Sequence, residues 1–309
     1  MRLGVLDIGS NTVHLAVVDA VRDGRPDPAT EARTTVRLMR YLDQDGRIVD
    51  DGVAALSRAV ADAAQAAERF GAEEMMGIAT SAIREAANGP DVLARLEEVA
   101  GVPLQVLTGR EEAELTFLAA RRWHGWAAGR LLVLDIGGGS LEIAVGIDEI
   151  PDLAVSVPLG AGRLTREFLP TDPPTEDELA ALKDHIKKSL APVARDLAEQ
   201  PAPDHVVATS KTFRSLARLA GQRVAVVGPE ERRRMQLADL RDWTPRLAKL
   251  PAEQRMELPG ITPERTYQIV AGALVAQRAM KVLGVEEVEI CPWALREGVL
   301  LRRLDRLGD

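Results

Sequence analysis

Aromatic residues make up only 3% of this 309-residue chain, and there is a single cysteine, Cys291. So little ring area leaves scant material for a base-stacking surface, which weighs against a binder of single-stranded nucleic acid. One thiol excludes an internal disulfide framework and fits a reducing compartment. Cations are outnumbered too: 39 Lys and Arg stand against 47 Asp and Glu, a net charge of −8. Nucleic-acid binders usually carry a basic face, so no nucleic-acid partner is expected. A smaller polyanion stays compatible if cations cluster locally or a metal ion supplies charge. No window approaches the roughly 18 apolar residues of a membrane span, and Arg2 leads at once into an apolar strand rather than a leader. The chain reads as soluble and cytoplasmic, with no membrane partner. Its 46% apolar content suffices for one large or two medium domains.

What the chain has is a repeat. DIGSNTVHLAVV (Asp7 to Val18) returns without a gap as DIGGGSLEIAVG (Asp135 to Gly146), 128 positions on. A second pair, IATSAIRE from Ile78 and VATSKTFR from Val207, follows at an offset of 129. Two copies each of an Asp-Gly strand turn and an Ala-Thr-Ser turn point to duplication. The expected result is two halves facing across a cleft of glycine loops and carboxylates.

The local pattern agrees. Leu3–Ile8 and Val13–Val18 read as strands, and Thr34–Met39 as a third. Residues 52–70 read as an alanine-rich helix stopped by Gly71. A strand at 75–79, a helix at 91–100 and a strand at 104–107 follow. Thr108 and Glu111 match a capping box opening a helix to about Arg122. The second half repeats the order, with strands at 131–136, 141–145, 154–158 and 205–208. Its helices fall at 163–168, 176–200 and 212–219. Residues 222–262, with Arg232-Arg-Arg234 and several prolines, read as an insertion of short helices. A helix at 266–283, a strand at 288–291 and a terminal helix at 294–307 close the chain. Three strands followed by alternating helices and strands is the ribonuclease-H-like order of actin-like proteins. The expected fold is α/β, with duplicated domains at 1–125 and 126–309 joined near 124–130; the last helix is placed against the first domain.

Asp7 and Asp135 each end a strand ahead of a glycine turn whose backbone N–H groups can approach an anion. A carboxylate beside phosphate repels it unless a cation intervenes, so the pair implies Mg²⁺ or Mn²⁺. Glu142 lies seven residues past Asp135, where the first copy has His14; ligation of the metal or positioning of water are its expected tasks. Glu111 fits the capping role, which leaves Glu112 free for a general base. Arg84 falls in the opening turn of the helix after the first Ala-Thr-Ser. Lys211, Arg214 and Arg218 share one face of the helix after the second, and Arg163 and Arg166 follow Gly160-Ala-Gly162. Such stripes either face solvent or, at these turns, bind an anion.

DIGSNTVHL, ATSAIREAAN from Ala79, VLTGREEAEL from Val106, LDIGGGSLEI from Leu134, PLGAGRLT from Pro158 and ALREGVLL from Ala294 occur in this order over nearly the whole chain. Together they resemble the exopolyphosphatase / guanosine-pentaphosphate phosphatase family of the actin-like ATPase superfamily. The resemblance implies hydrolysis of a terminal phosphoanhydride, in inorganic polyphosphate or in pppGpp, with ppGpp a further ligand. It puts catalysis on Glu112, with Arg84 as a phosphate-binding cation, and magnesium on Asp135 and Glu142, beside Asp7. Gly9, Ser10, Asn11 and Thr12, with Gly137, Gly138, Gly139 and Ser140, become the phosphate loops; Arg163 and Lys211 stand near them. Lys211 departs from the Ser-Gly-Thr of many relatives, and the chain matches the short, two-domain members. Polyphosphate cleavage, short chains first, is the favoured reading. The alternatives are pppGpp hydrolysis, an actin-like kinase and a non-catalytic (p)ppGpp- or polyphosphate-binding regulator; a homodimer is left open.

Overall fold

In the computed structural model, which describes residues 1–22, 24–224 and 232–307, the N-terminal apolar run becomes a central strand, β1 (Arg2–Ile8). Leu3, Val5, Leu6 and Ile8 are wholly buried because both faces of the strand are covered. β1 pairs antiparallel with β2 (Thr12–Asp19), which pairs antiparallel with β3 (Thr30–Thr35). β4 (Glu74–Ala79) and β5 (Leu104–Val106) add in parallel on the other side, giving the order β3-β2-β1-β4-β5.

Helix α1 (Asp50–Arg69) buries Leu56, Ala59, Val60, Ala63 and Ala67, the three-and-four spacing of a stripe against the sheet. It packs beside α3 (Gly89–Ala100), which ends on Gly101 in the left-handed conformation. Between them a single turn, α2 (Ser81–Arg84), leaves β4. Helix α4 (Gly109–His124) follows β5.

The second sheet repeats this order. β6 (Leu131–Ile136) pairs antiparallel with β7 (Leu141–Gly146), and β7 with β8 (Leu153–Val157). After α5 (Ala161–Phe168) and α6 (Glu176–Ala198), β9 (His205–Thr209) joins parallel to β6. Then come α7 (Ser210–Ala220), β10 (Gln222–Val224), β11 (Arg232–Gln236), α8 (Leu237–Lys249), α9 (Ala252–Arg255), α10 (Ile269–Val282) and β12 (Glu287–Ile290). The sheet runs β10-β11-β12-β9-β6-β7-β8. The run β8-β7-β6-β9-β12 matches β3-β2-β1-β4-β5 position for position, with β11 and β10 added beyond β12, so the duplicated α/β fold is as the repeat implied.

Contacts divide the chain into a first unit, Met1–Leu115 rejoined by the chain from Leu295 onward, and a second unit, Thr116–Ala294. The division lies inside α4 rather than in residues 124–130. The last helix, α11 (Leu295–Leu304), buries Val299, Leu300 and Leu304 in the first unit with Leu3, Val5 and Val18. Gly298 is required there: a Cβ at that position would sit 2.0 Å from the Leu115 carbonyl oxygen.

Two expectations fail for physical reasons. The third strand covers 30–35, not 34–39, because an edge strand with Glu31 and Arg33 facing out carries no apolar run. Val36, Leu38 and Met39 instead bury themselves in the turn that follows. Residues 222–262 were expected to hold short helices only, yet β10 and β11 form there. Arg234 of β11 is held by cross-strand charge, reaching Glu287 at 3.3 Å and Glu289 at 3.2 Å. The stretch 225–231 lies outside the described residues. Among those described, no helix is long and apolar enough to cross a membrane.

Candidate active site

In the second unit, the turn Gly137–Ser140 joins β6 to β7 and is held from behind by α5. The Ala161 N–H donates to the Gly137 carbonyl at 3.0 Å, the Arg163 N–H to Gly138 at 2.9 Å, and Arg163 Nε to Gly139 at 2.8 Å. A trans peptide points its N–H opposite to its C=O, so the N–H groups of Gly138, Gly139 and Ser140 turn away from α5. None of the three meets a protein acceptor among the described residues. Successive free amides on a turn form an anion cradle. The support is tight: a Cβ on Gly160 would lie 2.2 Å from the Gly139 backbone.

Asp135 and Glu142 sit directly opposite each other on β6 and β7, and cross-strand partners share a face of the sheet. Both are buried, at 8% and 6% exposure. The Thr209 hydroxyl donates to Asp135 Oδ2 at 2.6 Å, and the Ser156 hydroxyl to Glu142 Oε1 at 2.8 Å. Each carboxylate is thereby aimed through one of its oxygens. Thr212 fastens α7 to this strand end by donating to the Ile136 carbonyl at 3.0 Å. Lys211 stands half-buried in the first turn of α7, after Ser210, which takes φ +73° without being glycine. Arg214 donates back to the Ser210 carbonyl at 3.2 Å.

The first unit builds the same turn with other side chains. The Gly9 N–H donates to Thr12 at 3.0 Å, as the Gly137 N–H does to Ser140 at 2.9 Å. Here the carbonyls of Ser10 and Asn11 accept from Val36, Arg37 and Leu38 instead of from a helix. The Ser10 and Ser81 hydroxyls lie 3.2 Å apart. Asp7 keeps its place beside Gly9, but its cross-strand partner is His14. Arg296 of α11 donates to His14 Nδ1, and His14 Nε2 lies 3.0 Å from Glu31. His14 is thus engaged through both ring nitrogens, whereas Glu142 accepts from the Ser156 hydroxyl.

Glu111 takes the capping role that its spacing suggested. Glu111 accepts from the Thr108 N–H at 2.7 Å and the Thr108 hydroxyl at 2.8 Å, closing the capping box. Those bonds hold its carboxyl below the usual carboxylate range. Glu112 is 5% exposed and accepts from Arg84, which also donates to the Leu107 carbonyl at 2.6 Å. The two Ala-Thr-Ser turns match in backbone: Thr80 has φ −117°, ψ −160° and Thr209 φ −113°, ψ −165°.

A family model covers residues 17–307 of the chain, that of the Ppx/GppA phosphatase family. The chain belongs to the Ppx/GppA phosphatase family. It is 51% identical to Exopolyphosphatase 1 of Mycobacterium tuberculosis (strain H37Rv) over 309 residues, all of this chain and 90% of that one. It is 30% identical to Exopolyphosphatase 2 of the same organism, over 97% of this chain and 98% of that one. A crystal structure of an exopolyphosphatase from Cytophaga hutchinsonii superimposes with a TM-score of 0.88 at 24% identity, covering 99% and 98% of the two chains; it supports the fold.

Within this Ppx/GppA chain, sequence reasoning left four site residues unassigned. Thr209 and Ser156 aim the carboxylates, and Gly160 admits the glycine turn. Gln268 is 1% exposed beside Gly162, with neither amide atom hydrogen-bonded among the described residues. Thr209 lay in a repeated motif and Gly160 in a quoted one. Ser156 and Gln268 carry no local signal, since only the folded sheet and helix bring them to the turn.

Proposed function

We propose that this chain is an exopolyphosphatase, cleaving the terminal anhydride of inorganic polyphosphate, short chains best, in the cytoplasm. The observation that carries the reading is 51% identity from end to end with proteins named Exopolyphosphatase 1. The free amide cradle, the aimed carboxylates and Glu112 supply chemistry that suits it.

A hard divalent ion fits the donors present. Two carboxylates on one face, each oriented by a hydroxyl, suit Mg²⁺ or Mn²⁺, which take a few protein oxygens and fill the remaining positions with water and phosphate. Among the described residues no group of three or more His, Cys, Asp or Glu could hold a metal, so a two-carboxylate site is the form to expect. Asp135 and Glu142 would hold the ion. When bound, it neutralises charge on the phosphate oxygens. Asp7, opposite His14 rather than a second carboxylate, is the lesser metal ligand of the three named from the sequence.

The remaining roles fall to the chain itself. In the second unit the N–H groups of Gly138, Gly139 and Ser140 bind non-bridging oxygens of the anion, and in the first unit the turn Gly9 to Thr12 is assigned the same task. Glu112 orients the attacking water and accepts its proton. Arg84 aims that carboxylate, and its exposed edge offers donors to the transferred phosphoryl group. Arg163 acts from behind, fixing the Gly139 carbonyl. Lys211 adds charge for the next phosphate. Phosphate release from short polyphosphate, long polyphosphate, pppGpp and ATP, measured with and without Mg²⁺, tests the assignment. Fastest release from short polyphosphate is expected; fastest release from pppGpp would make the chain a pppGpp hydrolase instead.

A further inference from the structure

Within the second unit, α6, α8 and α10 enclose a second cavity of about 540 Å³ that none of the residues assigned to the reaction lines. That volume lies in the range of small-molecule sites. Its apolar surface comes from Leu179 of α6, Ala248 of α8 and Leu274 of α10, with Pro174 and Pro245 as stiff walls. Two ammonium groups stand at this surface, Lys183 on α6 and Lys249 on α8. Neither has a carboxylate within ion-pair distance among the described residues, although Glu176 also lines the cavity. In a chain of net charge −8, two unpaired lysines against one carboxylate leave a local positive excess.

The wall also carries polar groups short of partners. Thr244 is 3% exposed, and its hydroxyl has no hydrogen-bond partner among the described residues. A buried unmet hydroxyl is unfavourable, so a native fold keeps one for a reason or fills it on binding. Gln277 makes one long bond, 3.4 Å to the Leu240 carbonyl, and otherwise leaves its amide to the cavity. Apolar floor, paired cations and spare donors converge on one kind of occupant. We infer that this cavity binds a small amphipathic anion, an apolar chain or ring ending in a carboxylate, sulfonate or phosphate. The acidic end sits between Lys183 and Lys249 and the apolar body lies over Leu179, Ala248 and Leu274.

The test uses the full chain with 8-anilinonaphthalene-1-sulfonate as a fluorescent probe and decanoate as competitor. One saturable probe site is expected, displaced by decanoate but not by decanol or orthophosphate. Lys183→Met with Lys249→Met keeps the aliphatic stems and removes the charges. It should weaken both ligands at least tenfold while circular dichroism and phosphate release stay as in the parent. Thr244→Val should raise the melting temperature of the free protein and weaken decanoate. In the unaltered protein, decanoate should shift the Nζ resonances of Lys183 and Lys249. Absence of saturable binding, displacement by decanol as strong as by decanoate, unchanged affinity in the double variant, or unmoved Nζ resonances would each overturn the inference.

Discussion

Two turns 128 positions apart share their backbone and differ in their side chains. Each closes with a glycine N–H donating three residues on, and each is followed by a Thr in the same extended conformation before a helix. Yet the second turn carries two carboxylates, each aimed by a hydroxyl, whereas the first carries Asp7 beside a histidine locked by Arg296. The first unit gains instead a buried carboxylate gripped by an arginine, Glu112 with Arg84. The repeat keeps one turn backbone twice, and on our proposal divergence left ion-binding oxygens in the second unit and a base, Glu112, in the first. The difference teaches that backbone geometry is the inherited part, while a single cross-strand position decides the chemistry.

That division can be broken experimentally, beginning with the largest effect. Glu112→Gln should cut phosphate release by roughly 10²-fold or more with the fold intact by circular dichroism; near-parental turnover would remove Glu112 from the reaction. Asp135→Asn and Glu142→Gln should each lower turnover and raise the Mg²⁺ concentration for half-maximal rate, by about 10-fold on the scale of a lost ligand set. His14→Gln, altering the counterpart position in the first unit, should leave the Mg²⁺ titration unmoved. If His14→Gln shifts it as much as Glu142→Gln does, the two turns are not functionally distinct.

The backbone supports differ as well. Gly160→Ala drives a methyl into the Gly139 backbone and should destabilise the second unit by about 1–3 kcal/mol in urea unfolding. Gly9→Ala meets nothing nearer than 3.5 Å and should be mild; equal losses would mean the first turn is packed as tightly. Smaller still, Glu111→Ala should cost about 1 kcal/mol through its cap while sparing turnover. Last comes acid. Arg303 donates to Glu74 and holds its carboxyl below the usual range. A lowered folded-state value means the stabilisation is full above the unfolded glutamate value, near pH 4, and is lost as pH falls through the folded value. Glu74→Gln should therefore flatten the melting temperature between about pH 5 and pH 3.

Much of this was legible before any coordinates because the repeat is written in residues with few substitutes. Strand-end aspartates, glycines at turns and the capping pair Thr108–Glu111 announce themselves through short-range rules. β3 and β11 did not, since edge strands expose charge and lack the apolar alternation of β1 or β6. Ser156 and Gln268 were invisible for another reason: their partners lie far along the chain, and a lone polar residue reveals nothing of the surface it will meet. The separation of Glu111 from Glu112 worked because a capping box fixes one side chain and leaves its neighbour on a different face of the helix.

The placement of α11 bears on biosynthesis. Leu300 and Leu304 complete the apolar cluster around Leu3 and Val5, Arg296 fixes His14, and Gly298 abuts Leu115. A nascent chain emerging from the ribosome therefore exposes the greasy flank of its earliest strands until residues 295–304 have been made. The half translated first is the half finished last.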